Sequence, residues 1–111
     1  MIEILLGNID AEVAVDGIDE ALEVGMAYRS RGDAVEYPSG SLHLHRTDGN
    51  GEWLISAVDG RLRVTREHTK GDAAVRGTAE GLLLYLWDRS REGLEYFGDQ
   101  TVVDAWATVT P

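Results

Sequence analysis

Between residues 41 and 77 apolar and polar side chains alternate in short runs that are broken by glycine and aspartate. In "SLHLHRT" Leu42 and Leu44 point one way while Ser41, His43 and His45 point the other, the two-residue period of a half-buried strand. "EWLISAV" follows the turn "DGNG", and "RLRVTRE" follows Asp59-Gly60, a dipeptide that between alternating runs is a strong hairpin signal. In that third run Leu62 and Val64 face inward, while Arg61, Arg63 and Thr65 face outward. A fourth run, "DAAVRG", comes after the polar loop "EHTKG". The pattern predicts an antiparallel meander with one apolar and one polar face.

Helical spacing brackets these strands. Ile18, Ala21, Leu22, Gly25 and Met26 recur as one stripe, with Asp16 as the expected N-cap and Asp19 and Glu20 in the first turn as dipole partners. Arg29 and Arg31 stand near the expected end and Gly32 at the stop; "RGDAVEYPSG" then reads as a loop. Further on, Thr78 is the expected cap of a helix from Ala79 to about Trp87. "LEYF" reads as a fifth strand, and a last helix carries Val102, Val103 and Trp106. The expected fold class is α+β: a five-stranded antiparallel sheet with helices packed on one face, in the order α-β-β-β-β-α-β-α, forming a single domain over residues 1–111. Residues 1–10 read as the remnant of a preceding helix or as a strand.

The helix at 79–87 carries six consecutive apolar or aromatic residues, Leu82 to Trp87, more than one helical face uses. Leu82, Leu83 and Leu86 cover one face; Leu84, Tyr85 and Trp87 extend the apolar arc around it. The surplus is open to three readings: filled core, an interface with a second subunit, or the wall of a cavity for an apolar ligand. Under the third reading the lining residues are Leu82, Leu83, Tyr85, Leu86, Trp87 and Trp106.

Charge and composition narrow the partners. Twenty acidic residues against ten basic ones give a net charge of −10, a field that repels nucleic-acid backbones and anionic membrane surfaces. Nine of the ten cations are arginines, and Lys70 is the single lysine. The absence of cysteine excludes disulfides, a thiolate nucleophile and cysteine metal ligands. The first ten residues lack signal-peptide character and no stretch approaches a membrane span, so a soluble cytoplasmic protein is expected.

Catalytic signals are sparse. His43 and His45 share a strand face, a geometry metals use, but a catalytic zinc site wants three protein ligands and His68, the third histidine, falls in a loop. The expectation from sequence is therefore no metal site, with the two histidines on a solvated or hydrogen-bonded face. No Gly-x-Ser-x-Gly elbow is present, and Asp19/Glu20 reads as structural.

Taken together, "AVDGIDEALE", "GSLHLHRTD", "GEWLISAVDGRLRV", "GDAAVRGTAEGLLLYLWDR" and "EYFGDQTVVDAW" resemble, in order and spacing, the C-terminal domain of mycothiol-dependent maleylpyruvate isomerase-like proteins over residues 11–107. The resemblance implies a sterol-carrier-protein-like fold. It also implies that mycothiol and a divalent metal belong to a separate four-helix domain in full-length members, so this chain carries no cofactor of its own. "IEILLGNIDAE" resembles only the end of that domain's last helix, with Gly7 and Asn8 where members often carry a metal-binding histidine. By resemblance Arg89, in "LYLWDR", maps onto an active-site arginine that clamps a carboxylate; its other reading is a cation favoured by the helix C-terminus. Arg76 is the weaker second candidate. The function expected is an accessory or small-apolar-ligand-binding domain that is not catalytic alone. The alternatives are an enzyme component that docks on a separate metal-bearing helical domain and supplies Arg89, and a homodimeric interaction module.

Overall fold

The chain is seen here in a computed structural model that describes residues 10–25, 37–59 and 61–108. The expectations for Met26, Arg29, Arg31, Gly32, Gly60 and residues 1–9 fall outside the described residues.

Helix α1 spans Ala11–Glu20 and continues as a single wide turn over Ala21–Gly25. It begins one and a half turns earlier than its apolar stripe suggests. The N-cap is Asp10, which accepts from the Glu12 N–H at 2.9 Å, and the expected cap Asp16 lies exposed inside the helix. Ala14 extends the stripe of Ile18, Ala21 and Leu22 backward by one turn, and all four are buried. Strands β1 (Leu42–Arg46), β2 (Glu52–Val58), β3 (Arg61–Thr65) and β4 (Ala73–Gly77) follow, then helix α2 (Ala79–Leu86), strand β5 (Glu95–Gly98) and helix α3 (Gln100–Ala107). Thr78 caps α2 by accepting from the Gly81 N–H at 3.0 Å, and Asp99 caps α3 in the same way through Thr101. The β2–β3 turn places Asp59 at φ 53°, the left-handed backbone that a tight hairpin requires.

The five strands form one sheet in the order β3-β2-β1-β4-β5. The expectation of an all-antiparallel sheet is corrected at one ladder: β1 and β4 run parallel, with Leu42 beside Ala73 and Leu44 beside Val75. β4 does not continue the hairpin series on the outer edge of β3. It pairs with the far side of β1, and the segment 66–72 crosses between them. Alternation nevertheless assigns the faces correctly. Leu42, Leu44, Trp53, Ile55, Ala73 and Val75 point inward and are buried.

The apolar excess of α2 is consumed by its neighbours. The helix packs on α1, on α3 and on β1 and β4, so Leu82, Leu83, Tyr85 and Leu86 are all buried in one cluster. Gly17 permits the close approach of α1, because a Cβ there would come within 2.9 Å of the Leu83 side chain. Buried Tyr85 donates its hydroxyl to the Val103 carbonyl at 2.6 Å, tying α2 to α3. Trp106 does the same for the chain before β1, donating its indole N–H to the Gly40 carbonyl at 2.7 Å. At the roughly 2 kcal/mol that burial of one large apolar side chain contributes, these residues dominate the stability of so small a domain.

A buried cation organises the β1–β2 turn. Arg46 is only 8% exposed. It donates from Nε to Asp48 Oδ1 at 2.8 Å and from its terminal nitrogens to the Asn50 and Asp48 carbonyls. Asp48 Oδ1 also accepts from the Ala79 N–H at the start of α2, at 3.0 Å. Burial raises the Asp48 carboxyl, but donation from Arg46 and Ala79 outweighs it and holds the group below the usual carboxylate range. Its contribution to stability is therefore complete above the unfolded-state pKa and is lost as pH falls through the lower folded value. Asp48→Ala leaves Arg46 with carbonyl acceptors alone; an expected loss of about 2 kcal/mol lowers the melting midpoint by roughly 8 °C. The gap between Asp48→Asn and the parent should narrow in thermal melts taken below about pH 4.

Candidate functional site on the outer face of the sheet

The face turned away from the helices carries the other alternates: His43 and His45 of β1, Glu52 of β2, and Ala74 and Arg76 of β4. Antiparallel register sets His45 opposite Glu52 and His43 opposite Leu54, so both imidazoles stand beside the same carboxylate. The crossing segment brings the third. His43 Nε2, His45 Nδ1 and His68 Nδ1 lie 3.0, 3.1 and 2.5 Å from one atom, Glu52 Oε1. The three rings meet edge to face, with centroids 5.8 to 6.3 Å apart.

Exposure is graded across the cluster. His43 is nearly buried, His45 and Glu52 are partly exposed, and the His68 side chain is 80% exposed. Burial lowers the pKa of His43 against the raising effect of Glu52, and favours the neutral imidazole. Glu52 is held below its ordinary value first by the hydrogen bond from His68, which favours the carboxylate. The result is an anionic oxygen ringed by three imidazoles. Among the described residues, this is the group whose donor types and convergence suit a cation: one ligand atom from each of the four side chains, all within 4.8 Å of one another.

A recess of about 140 Å³ adjoins the cluster and shares His43 with it. Its other walls are Lys70 to Ala74 at the end of the crossing segment, with Phe97 and Gly98 of β5. Asp72 fixes this end by accepting from the Ser41 N–H at 2.9 Å, while its own N–H donates to the Ser41 hydroxyl at 3.0 Å. Gly98 sits at φ 82°, where a Cβ would strike the Asp72 carbonyl at 2.4 Å. Phe97 is 48% exposed on this face.

The residues singled out from sequence are placed elsewhere. Leu82, Leu83, Tyr85, Leu86 and Trp106 are core; Trp87 is 42% exposed. Arg89 is exposed and forms no ion pair with any described residue. Arg76 is on the outer face, flanked by His45 and Glu95 rather than by the α2 terminus. Asp19, expected as a dipole partner, accepts from the Trp53 indole N–H at 2.9 Å and pairs with Arg66. Of the cluster's side chains, the sequence reading passes over Glu52 and sets His68 aside as a loop residue. Glu52 was visible as the outward residue opening β2, but His68 carried no periodic signal. Residues 1–9, which resemble the end of a helical domain's last helix, lie outside the described residues.

Among solved structures, the chain is similar to the UbiJ-SCP2 ubiquinone synthesis protein, at 20% identity and a TM-score of 0.61 over 88% of each chain. It is also similar to Sterol Carrier Protein 2 Like 2 from Aedes aegypti, at 14% identity and a TM-score of 0.52, covering 83% of this chain and 94% of that one. Identities this low establish the fold, which is sterol-carrier-protein-like. No curated protein sequence matches. The description "MDMPI C-terminal domain" matches residues 12–105, nearly the whole of the described chain. Element order, fold and match agree with the resemblance drawn from the sequence, and the chain belongs to the MDMPI C-terminal domain family.

Proposed function

We propose that this chain is an accessory ligand-binding domain, not catalytic alone, whose ligand is a small organic acid with an apolar body held in the outer-face recess. The observation that carries this reading is the recess itself: an apolar wall of Ala74 and half-exposed Phe97, with Lys70, the single lysine, on the same lining. In a chain of net charge −10, a cation beside an apolar floor favours the rare anion that also gains from burial, and the Asp72 carboxylate on the same lining is engaged by the Ser41 N–H and hydroxyl. Size sets the class. A volume near 140 Å³ takes a body about as large as benzene, and is too small for a sterol or a long acyl chain.

Benzoate is a suitable probe. Titrated into the ¹⁵N-labelled chain, it should shift the amides of Lys70 to Ala74 and of Phe97 saturably, with a Kd of about 1 mM. Phe97→Ala should weaken that binding roughly tenfold. Absence of saturable shifts at the recess, or shifts unaltered by Phe97→Ala, would reject the reading.

A specific observation favours a second reading, the enzyme component. α2 ends in an exposed corner in which Trp87 is 42% exposed, Asp88 adopts φ 54° and Arg89 reaches solvent. An apolar ring beside a cation that forms no ion pair with any described residue suits docking on a catalytic partner domain, where Arg89 would grip a substrate carboxylate. With such a partner reconstituted, Arg89→Ala should lower kcat/KM by about a hundredfold or more. Turnover within twofold of the parent would remove Arg89 from the site.

A further inference from the structure

We infer that His43, His45, His68 and Glu52 form a divalent transition-metal site of the zinc class. This goes beyond the proposed accessory role and does not depend on it, although His43 borders both the cluster and the recess.

The donor set is three imidazole nitrogens and one carboxylate oxygen, drawn from two adjacent strands and the crossing segment. Three imidazoles with one oxygen suit zinc and its neighbours, whereas calcium and magnesium require mostly oxygen ligands. Geometry leaves little to adjust. Ligands at 2.0–2.1 Å in a tetrahedron stand about 3.3 Å apart, so the widest pair here closes by roughly 1.5 Å. The most exposed ligand, His68, is on the crossing segment and is free of any ladder, whereas His43 and His45 are fixed by ladders on both sides of β1.

Glu52 Oε1 now holds the centre on which all three nitrogens converge. A metal takes that position when the carboxylate swings aside to become the fourth ligand. Each imidazole then turns a lone pair inward and carries its proton on the other ring nitrogen. The three rings are already aimed at one point by the apo network, so the site is largely preorganised. The chain's net charge of −10 adds a field that draws cations toward it.

The test uses the untagged chain, titrated with Zn²⁺ by calorimetry and with Co²⁺ by visible absorption. One equivalent should bind with a Kd of about 1 μM or tighter, and Co²⁺ should develop the ligand-field bands of a four- or five-coordinate nitrogen-rich site. Magnesium at roughly a thousandfold excess should not compete. His45→Ala should weaken Zn²⁺ by about a hundredfold and His68→Ala by at least tenfold. Zinc at a hundred times the parent's Kd should raise the melting midpoint by roughly 10 °C in the parent and by no more than about 6 °C in His68→Ala. Should His45→Ala fail to fold, His68→Ala decides, since that ring is exposed and outside every strand. Uptake that magnesium displaces, or that survives His68→Ala unchanged, would assign the cation to the acidic surface and overturn the site. No saturable uptake below about 1 mM would leave the cluster as a hydrogen-bonded network and overturn it equally.

Discussion

The parallel ladder between β1 and β4 is the constraint on which the outer face depends. Parallel neighbours cannot be joined by a tight turn, and such connections normally take a dozen residues or more. β1 and β4 are joined through β2, β3 and the crossing segment, and that last step from β3 takes only seven residues because β3 is staggered. Thr65, its last residue, is level through Leu54 with His43, and Ala73 opens β4 beside Leu42. The chain therefore has to travel mainly sideways, three strand spacings of about 4.8 Å, and eight Cα steps reach roughly 26 Å. The slack lets the segment lie across the sheet. His68, in the middle of the crossing, comes down on the two histidines of β1.

Two consecutive residues of β2 join the layers on either side. Glu52 points outward and gathers the three imidazoles; Trp53 points inward and is fully buried. The Trp53 indole donates to Asp19 on α1, and Arg66 pairs with the same carboxylate while its guanidinium lies 5.5 Å from the indole ring. Arg66 is the residue at which the crossing begins. One helix carboxylate thus fastens both the strand that presents Glu52 and the segment that presents His68. The sheet's stagger sets the path, and this knot fixes where the path starts.

What the sequence made legible follows from periodicity. Alternation with period two assigned Leu42, Leu44, Leu62 and Val64 to the inner face and His43 and His45 to the outer one, because a half-buried sheet allows no other register. Thr78 and Asp59 were readable because caps and tight turns demand particular residues. The parallel pairing was not, since adjacency of consecutive strands is the commoner outcome and nothing local in "DAAVRG" distinguishes the two edges. Asp10 was passed over as a cap because only Ala14 precedes Ile18 on the buried stripe, too short a signal to move the helix start. Glu52 stood at the outward position that opens β2, whereas the placement of His68 beside it was not legible for a related reason. A loop has no period, so its path across a face is set by topology and by remote contacts such as Arg66 with Asp19.

The cluster also bears on how a small domain keeps a polar face ordered. Hydrogen bonds from three rings to one carboxylate oxygen each contribute about 1 kcal/mol net, and they hold a nearly buried histidine beside an exposed one. A divalent cation would not build this arrangement from a disordered state; it would replace the carboxylate at a centre already defined. Most of the ordering entropy is thereby met during folding, by the β1 ladders for His43 and His45 and by the Arg66 knot for His68. What remains on binding is a carboxylate rotation and a shift of the most exposed ring. The inner face is the reverse case, with no polar centre to exchange: α2 is enclosed by two helices and two strands, and its leucines define the layer through packing alone. One sheet thus has a closed side, specified by shape, and an open side, specified by charge and donor geometry. The proposed binding chemistry falls on the second, because only there can a group move without opening a cavity in the core.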